Sequence, residues 1–408
     1  MSYYILNDNV YIVGGSAKGC IYDFNNSRLF SVNKALLDKL IKINSEGMVA
    51  DSVDGEFLNT LDNLMKNKIV IMSDKFRETN INELKKNNSK CNFAWIEITE
   101  KCNLRCKHCY NESGKKCEKK MEEEEFYNVI DILKENGISK IQITGGEPFM
   151  NKNRLKKMLD YAVSKFSYIE IFTNGTLISD DWFEYLKKNN IHLALSVYSY
   201  NHQMHDKVTG VKGSFEKTNR TIEKLKMNDI PYRVCNVLMR GIEVGEKNND
   251  FYTLSMDRDV VRLTGRANIN LLSSELIKKR LITIDTFRKP IKKEFCSRLI
   301  SGHNCFNNKI YISSDLNVFP CVMERRMKHC SLKSKKLILN DKICKLTKDN
   351  INKCSECEYR YACFDCRPNS ISKEIYEKPW YCTYNPLKGE WLDENEFIEK
   401  INLEFGKI

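Results

Sequence analysis

The start of the chain alternates short apolar runs with polar breaks. Tyr3–Leu6, Val10–Val13 and Cys20–Phe24 are apolar, Asn25-Asn26-Ser27 makes a turn, and Arg28–Val32 follows. Runs of this length bounded by turn residues predict strands. Asn33 stands where a helix cap is expected, with Leu36, Leu37, Leu40 and Ile41 on one face behind it. A second helical pattern carries Leu58, Leu61, Leu64 and Met65, and Lys68–Met72 reads as another strand. The order predicts a small winged-helix-like α+β module over residues 1–72. Residues 73–91 are polar and read as a linker.

From 92 to about 270 the period switches back and forth. Strands are predicted at Phe93–Thr99, Lys140–Thr144, Tyr168–Thr173, His192–Tyr198, Tyr232–Leu238 and Val260–Leu263. Between them, Phe126, Val129, Ile130 and Leu133 fit one helical face, with Glu122–Glu125 in the first turn where the helix dipole favours anions. Trp182, Tyr185 and Leu186 mark a second helix. Ser214 is the expected cap of a third, with Phe215, Ile222 and Leu225 inward. This alternation predicts an α/β fold with a parallel sheet, open or barrel-like. Six strands are fewer than a closed eight-stranded barrel needs. After 290 the periodicity fails and cysteines take over, so order there is expected to depend on metal.

Composition sharpens this picture in one respect. The 408 residues carry a net charge of +12, but the lysines are scattered and form no dense stripe, so nucleic acid is not an expected partner. No run approaches the length of a membrane span, and no secretory signal is visible, which predicts a cytoplasmic protein with no membrane partner. The 17 cysteines are the informative feature. They cluster at Cys102–Cys109 and Cys354–Cys366, which in a cytosolic chain points to metal or iron–sulfur ligands rather than disulfides.

Cys102-Asn-Leu-Arg-Cys106-Lys-His-Cys109 follows the first strand of the alternating region. Three thiolates at this spacing can wrap one face of a 4Fe–4S cluster and leave the fourth iron open. A zinc loop is the alternative, although zinc sites usually pair two CxxC motifs. Here the chain resembles the radical S-adenosylmethionine (SAM) superfamily, whose hallmark is CxxxCxxC after the first strand of a partial barrel. The resemblance covers roughly residues 92–385. It implies a partial (β/α)6 barrel over residues 92–290, with Cys102, Cys106 and Cys109 holding the cluster that binds and cleaves SAM. Gly145-Gly146-Glu147-Pro148, after the second strand, corresponds to the superfamily's GGEP turn, whose backbone and Glu147 are then expected to hold the amino group of SAM. Thr173 and Asn174 end the third strand and Ser196 the fourth, where ribose and carboxylate contacts are implied. Arg262 and Arg266 are further candidates for the SAM or substrate site. His205-Asp206 and Thr209–Phe215 resemble a segment common in peptide-modifying members.

The C-terminal run Cys354, Cys357, Cys363, Cys366, followed by Cys382, resembles the SPASM domain, an auxiliary iron–sulfur domain placed here over residues 291–408. Upstream, Cys305 and Cys321 match that domain's first pair in separation. The chain departs from the usual pattern by one residue between Cys363 and Cys366, and Leu316 stands where glycine is usual. By resemblance, Cys354, Cys357, Cys363 and Cys382 bind an outer cluster. Cys305, Cys321 and Cys366 bind an inner one, with Cys296 as a possible fourth ligand. That implies three 4Fe–4S clusters, one for SAM and two auxiliary. Cys20, Cys91, Cys117, Cys235, Cys330 and Cys344 are left as structural or incidental thiols. A zinc ribbon is the alternative for the C-terminal set.

Residues 1–72 resemble the leader-recognition domain of peptide maturases, which captures a leader as an added strand. Together the parts resemble a radical SAM/SPASM peptide maturase of the sactipeptide or ranthipeptide type. The implied activity is thioether crosslinking of a ribosomally made, Cys-rich precursor peptide through a 5′-deoxyadenosyl radical. An electron donor such as flavodoxin or ferredoxin is an implied partner. Epimerisation, carbon–carbon crosslinking and sulfatase formylglycine formation are other radical modifications open to such a chain. A non-catalytic iron–sulfur or zinc peptide-binding protein is the alternative from another class.

Overall fold

The computed structural model describes residues 2–49, 55–86, 91–245, 256–303, 305–372 and 374–405. In the N-terminal part, β1 (Tyr3–Leu6), β2 (Val10–Gly14), β3 (Lys18–Asp23) and β4 (Arg28–Asn33) precede α1 (Lys34–Glu46), β5 (Met48–Val49), α2 (Gly55–Lys66) and β6 (Val70–Ser73). β2, β3 and β4 form an antiparallel sheet, and β5, β1 and β6 a second one. The Asn33 side chain accepts from the Leu36 amide, so α1 starts where its cap predicts. Val10–Val13 in β2 and Cys20–Tyr22 in β3 are apolar at every position because both faces are covered. Val10 and Ile21 join Leu37, Leu40 and Leu61 on one side, whereas Tyr11, Cys20 and Tyr22 join Tyr359, Tyr381 and Tyr384 on the other.

The segment predicted as a linker is docked instead. Ile81 and Leu84 are buried in a short helical turn, Thr79 and Asn44 exchange hydrogen bonds, and Ser297 donates to the Leu84 carbonyl. Two apolar residues spaced three apart in a polar stretch were enough to anchor it; residues 87–90 lie outside the described residues.

The central region runs β7 (Phe93–Glu97), α3 (Glu123–Glu135), β8 (Lys140–Thr144), α4 (Lys152–Ala162), β9 (Tyr168–Thr173), α5 (Asp181–Lys188), β10 (His192–Ser196), α6 (His202–Thr209), α7 (Ser214–Met227), β11 (Tyr232–Leu238) and β12 (Met256–Val260). These six strands are parallel neighbours in chain order. Ile96, Ile143, Ile171 and Leu193 pair in register across four of them, and all are fully buried beneath the helices. The sixth strand lies earlier than its predicted place at Val260–Leu263. Asp257, Arg258 and Asp259 make it polar, which an edge strand tolerates.

The remainder comprises α8 (Ser274–Lys278), α9 (Ile284–Arg288), α10 (Lys293–Ser301), β13 (Lys309–Ile312), β14 (Asn317–Phe319), β15 (Cys330–Ser331), α11 (Asp341–Cys344), β16 (Tyr384–Asn385), β17 (Glu390–Trp391) and α12 (Glu394–Phe405). β13 pairs in parallel with β7, and β14 and β15 continue the sheet antiparallel, so the cysteine-rich region grows out of the barrel's own sheet. Leu316, in the β13–β14 turn, has φ +67°, the left-handed region that favours glycine. Among the described residues no helix is long and apolar enough to cross a membrane.

Candidate active site

The C-terminal ends of the parallel strands open onto a cavity of about 190 Å³. Cys102, Cys106 and Cys109 line it, together with Gly145, Gly146, Thr173, Asn174, Ser196 and Arg262. Its walls also include Leu104, Phe172, Val237 and Val260, so most of the lining is apolar. Site residues at this end of the strands are what a parallel-strand scaffold favours.

The cysteine loop is held from several sides. Gly146 donates from its amide to the Thr99 carbonyl at 2.7 Å, and Glu147 to the Lys101 carbonyl at 2.9 Å. A Cβ on Gly146 would stand 2.3 Å from the Lys101 oxygen, so only glycine permits this approach. The glycines of the turn therefore admit the cysteine loop, whereas the sequence reading assigned their close approach to a bound ligand. From the other side, Arg105 and Lys107 donate to the Thr209 and Val208 carbonyls, and Arg266 donates to the Cys106 and Ser113 carbonyls at 2.9 Å each. The Asn174 side chain donates to Asn103 at 2.9 Å and lies 3.9 Å from the Cys102 sulfur.

Glu147 differs from its expected role. It is fully buried, and its carboxylate accepts from the Phe149 amide, the Thr173 hydroxyl and the Asn174 amide. Neither Glu147 nor Pro148 lines the cavity. The carboxylate ties the second strand's turn to the end of the third, and burial pushes it up to about 7. Burial also raises the Cys102 thiol, and it pushes Cys106 up to about 12, with Cys109 adding to the effect. Thiols this reluctant to ionise become thiolates when a metal displaces the proton.

His205 and Asp206 serve the framework. His205 is buried, accepts from the Tyr198 amide, and is lowered to about 4 by burial. Asp206 accepts from the Gly213 and Phe215 amides and from the Ser214 hydroxyl. It thus caps α7 from a distance, and Ser214 is the first helical residue rather than the cap. Cavity residues that escaped the sequence reading include Cys235 and His108. Cys235, set aside as an incidental thiol, lines the wall with the Arg233 guanidinium 3.0 Å from its sulfur. His108 is half-buried against the Tyr198 ring, and desolvation lowers it to about 4, with an unpartnered Nδ1 among the described atoms. Its position inside the cysteine motif was the available signal.

The C-terminal cysteines fall into two sets. Cys354, Cys357, Cys363 and Cys382 line one small cavity. Cys305, Cys321 and Cys366 act on one another electrostatically, and Cys321 is pushed up to about 12, chiefly by burial. Arg262 connects this trio to the main cavity. Burial works against its charge, but Cys366, Asp259, Cys321 and Cys305 outweigh that and hold it above its ordinary value. Cys296 is not with the trio. It lies inside α10, fully buried, in the core that also holds Cys20 and Tyr22, and burial alone pushes it up to about 12. The expectation that it is the trio's fourth ligand is therefore not met: α10 continues past it to Ser301 and turns its thiol into that core. Among the described residues, no three His, Cys, Asp or Glu side chains are gathered tightly enough for a single metal ion.

Residues 96–248 match the Radical SAM superfamily. The chain is 39% identical over 157 residues to the antilisterial bacteriocin subtilosin biosynthesis protein AlbA of Bacillus subtilis, covering 38% of this chain and 34% of the relative. It is 31% identical over 156 residues to the sporulation killing factor maturation protein SkfB of the same organism, covering 38% and 36%. The chain thus matches about a third of the length of these curated relatives. Among solved structures, Streptococcus suis SuiB bound to the precursor peptide SuiA is similar with a TM-score of 0.55, at 14% identity over 92% of this chain and 98% of that one.

Proposed function

We propose that this chain, which carries a radical SAM domain over residues 96–248, modifies a ribosomally made, Cys-rich precursor peptide by forming thioether crosslinks between a cysteine sulfur and a substrate carbon. The observation that carries the reading is the meeting of two cysteine sets at one end of the sheet. Cys102, Cys106 and Cys109 line the cavity, and Arg262 stands between it and Cys305, Cys321 and Cys366.

Cys102, Cys106 and Cys109 are the residues to hold a 4Fe–4S cluster with one iron open to SAM. When bound, that pair supplies the 5′-deoxyadenosyl radical that takes a hydrogen atom from a substrate carbon. Arg266 and Asn174 keep the loop in place, and the apolar wall formed by Leu104, Phe172, Val237 and Val260 excludes water from it. Thr173 and Asn174, at the rim with Ser196, offer polar contacts for the sugar and carboxylate of SAM. The Arg262 guanidinium suits an anion, either a carboxylate or a thiolate.

The inner trio has three cysteines without Cys296, so an iron there has a position to offer a substrate thiolate, a soft ligand iron accepts. The outer four cysteines suit a closed cluster for electron transfer. Residues 1–72 supply a small sheet for the leader, and likeness to peptide-linked AlbA, SkfB and SuiB supports a peptide substrate. A flavodoxin or ferredoxin suits the electron supply.

Anaerobic reconstitution tests the reading. Wild type is expected to carry about twelve irons in three clusters. Replacing Cys102, Cys106 and Cys109 together with Ala removes about four of them and all 5′-deoxyadenosine formation, and Cys296→Ala leaves the iron count unchanged. Zinc in the C-terminal sites, or SAM cleavage by the triple variant, would sink it.

A further inference from the structure

A buried charge cluster lies between the two C-terminal cysteine sets. The Lys348 side chain is 8% exposed and its ammonium pairs with Asp365, whose side chain is 1% exposed. Asp365 shares its carboxylate with Arg367, which is 4% exposed. His303 Nε2 lies 3.0 Å from the Asp365 carbonyl and adds no anion. Two buried cations thus share one buried carboxylate, leaving one positive charge in excess. An uncompensated charge away from water is strongly unfavourable.

Arg367 directs further donors to the Ile375 and Glu377 carbonyls at 3.2 and 2.8 Å. For the Lys348 ammonium, Asp365 is the one partner among the described residues. Its other side lines the small cavity made by Cys354, Cys357, Cys363 and Cys382, and its charge acts on Cys363 and Cys354. Lys353 at its edge is exposed to solvent, and the remaining charges near this cavity are engaged. Arg360 pairs with Asp349, Lys378 donates to the Cys382 carbonyl at 2.6 Å, and the buried Glu358 carboxylate accepts from Tyr384.

We propose that Lys348 is the fixed countercharge of the outer four-cysteine site, a positioning residue that raises the reduction potential of the cluster held there. The proposal rests on reading those four thiolates as iron–sulfur ligands. A four-thiolate cluster is net negative and becomes more so when it takes one electron from the donor, with no bond made or broken. A cation placed against Cys354 and Cys363 stabilises that added charge. Asp365 sits between an outer ligand, Cys363, and an inner one, Cys366, and tempers the effect. The excess positive charge of Lys348, Asp365 and Arg367 is then the complement of a net-negative four-thiolate cluster.

Redox titration followed by electron paramagnetic resonance on the reconstituted full-length enzyme tests this. The outer signal is the one lost in Cys357→Ala. Lys348→Met is expected to lower its midpoint potential, and Asp365→Asn to raise it, with the cluster at Cys102, Cys106 and Cys109 unmoved. A merely structural role would loosen the site in both variants and shift both the same way. If Lys348→Met fails to hold iron, the sign of the shift in Asp365→Asn decides alone. Unmoved potentials, or shifts of one sign, overturn the proposal. A wild-type protein with zinc or no iron at the outer site overturns the iron–sulfur reading beneath it.

Discussion

Glu147 carries a carboxylate into a place with no cation beside it. Its three hydrogen-bond donors join the turn after β8 to the end of β9, yet burial still moves it up to about 7. In the unfolded chain it titrates near ~4.3. Between those values the native state holds a proton the unfolded state has lost. This group's contribution to stability therefore falls as pH rises through that window and is flat above it. Glu147→Gln cannot titrate. The stability of wild type relative to the variant should decline by about 2–3 kcal/mol between pH 5 and pH 8. Denaturant unfolding of the reduced, metal-free protein at the two pH values measures it; an equal difference at both would show that Glu147 does not titrate there. The role was hidden in the sequence because a Gly-Gly-Glu-Pro turn specifies a sharp bend, not where the carboxylate points.

At the scale of elements, Asp206 joins α6 to α7 and, through them, to the cysteine loop. Its carboxylate takes the Gly213 and Phe215 amides at the start of α7, while the Thr209 and Val208 carbonyls one turn on receive Arg105 and Lys107. Burial opposes its charge, but these hydrogen bonds outweigh it and hold the carboxyl below the usual range. The stabilisation is present above its unfolded value and is lost as pH falls through the lowered one. Asp206→Ala should cost about 1–2 kcal/mol at pH 7 by loss of the cap. Thermal melts should show the deficit shrinking towards pH 3, and a pH-independent deficit would point to lost packing instead. The strands from β7 to β11 were legible because each is a short apolar run set between helical periods. β13 was not: Lys309–Ile312 is four residues long among cysteines, and its partner β7 lies more than two hundred residues earlier in sequence. Cys296 misled for a related reason, since α10 is too short for its period to stand out beside cysteines.

In the whole molecule, the N-terminal sheet and the outer cysteine site share one core. Tyr22 donates to the Glu358 carbonyl at 2.9 Å, Ser16 to the Glu356 carbonyl at 2.9 Å, and Arg360 to the Gly14 carbonyl at 2.7 Å. The sequence separates these groups by more than three hundred residues, so nothing local could announce the contact. Under the proposed function, a peptide on the N-terminal sheet and a cluster on the Cys354–Cys363 loop are then expected to respond to each other. Gly15 is the place to test this. A Cβ there would stand 2.8 Å from the Glu358 amide nitrogen and 2.9 Å from the Glu356 carbonyl oxygen, both backbone atoms of the segment that follows Cys354 and brackets Cys357. Neither yields without moving the cysteine loop, so Gly15→Ala should act as a wedge. Overpacking of this kind costs about 1–3 kcal/mol. The variant should lose outer-site iron to a chelator faster than wild type, while its yield of 5′-deoxyadenosine without substrate stays the same, because the atoms Gly15 approaches belong to Glu356 and Glu358, which do not line the Cys102 cavity. Iron release at the wild-type rate would mean that the sheet is only a neighbour of the cluster site, and that leader binding and cluster chemistry are separable.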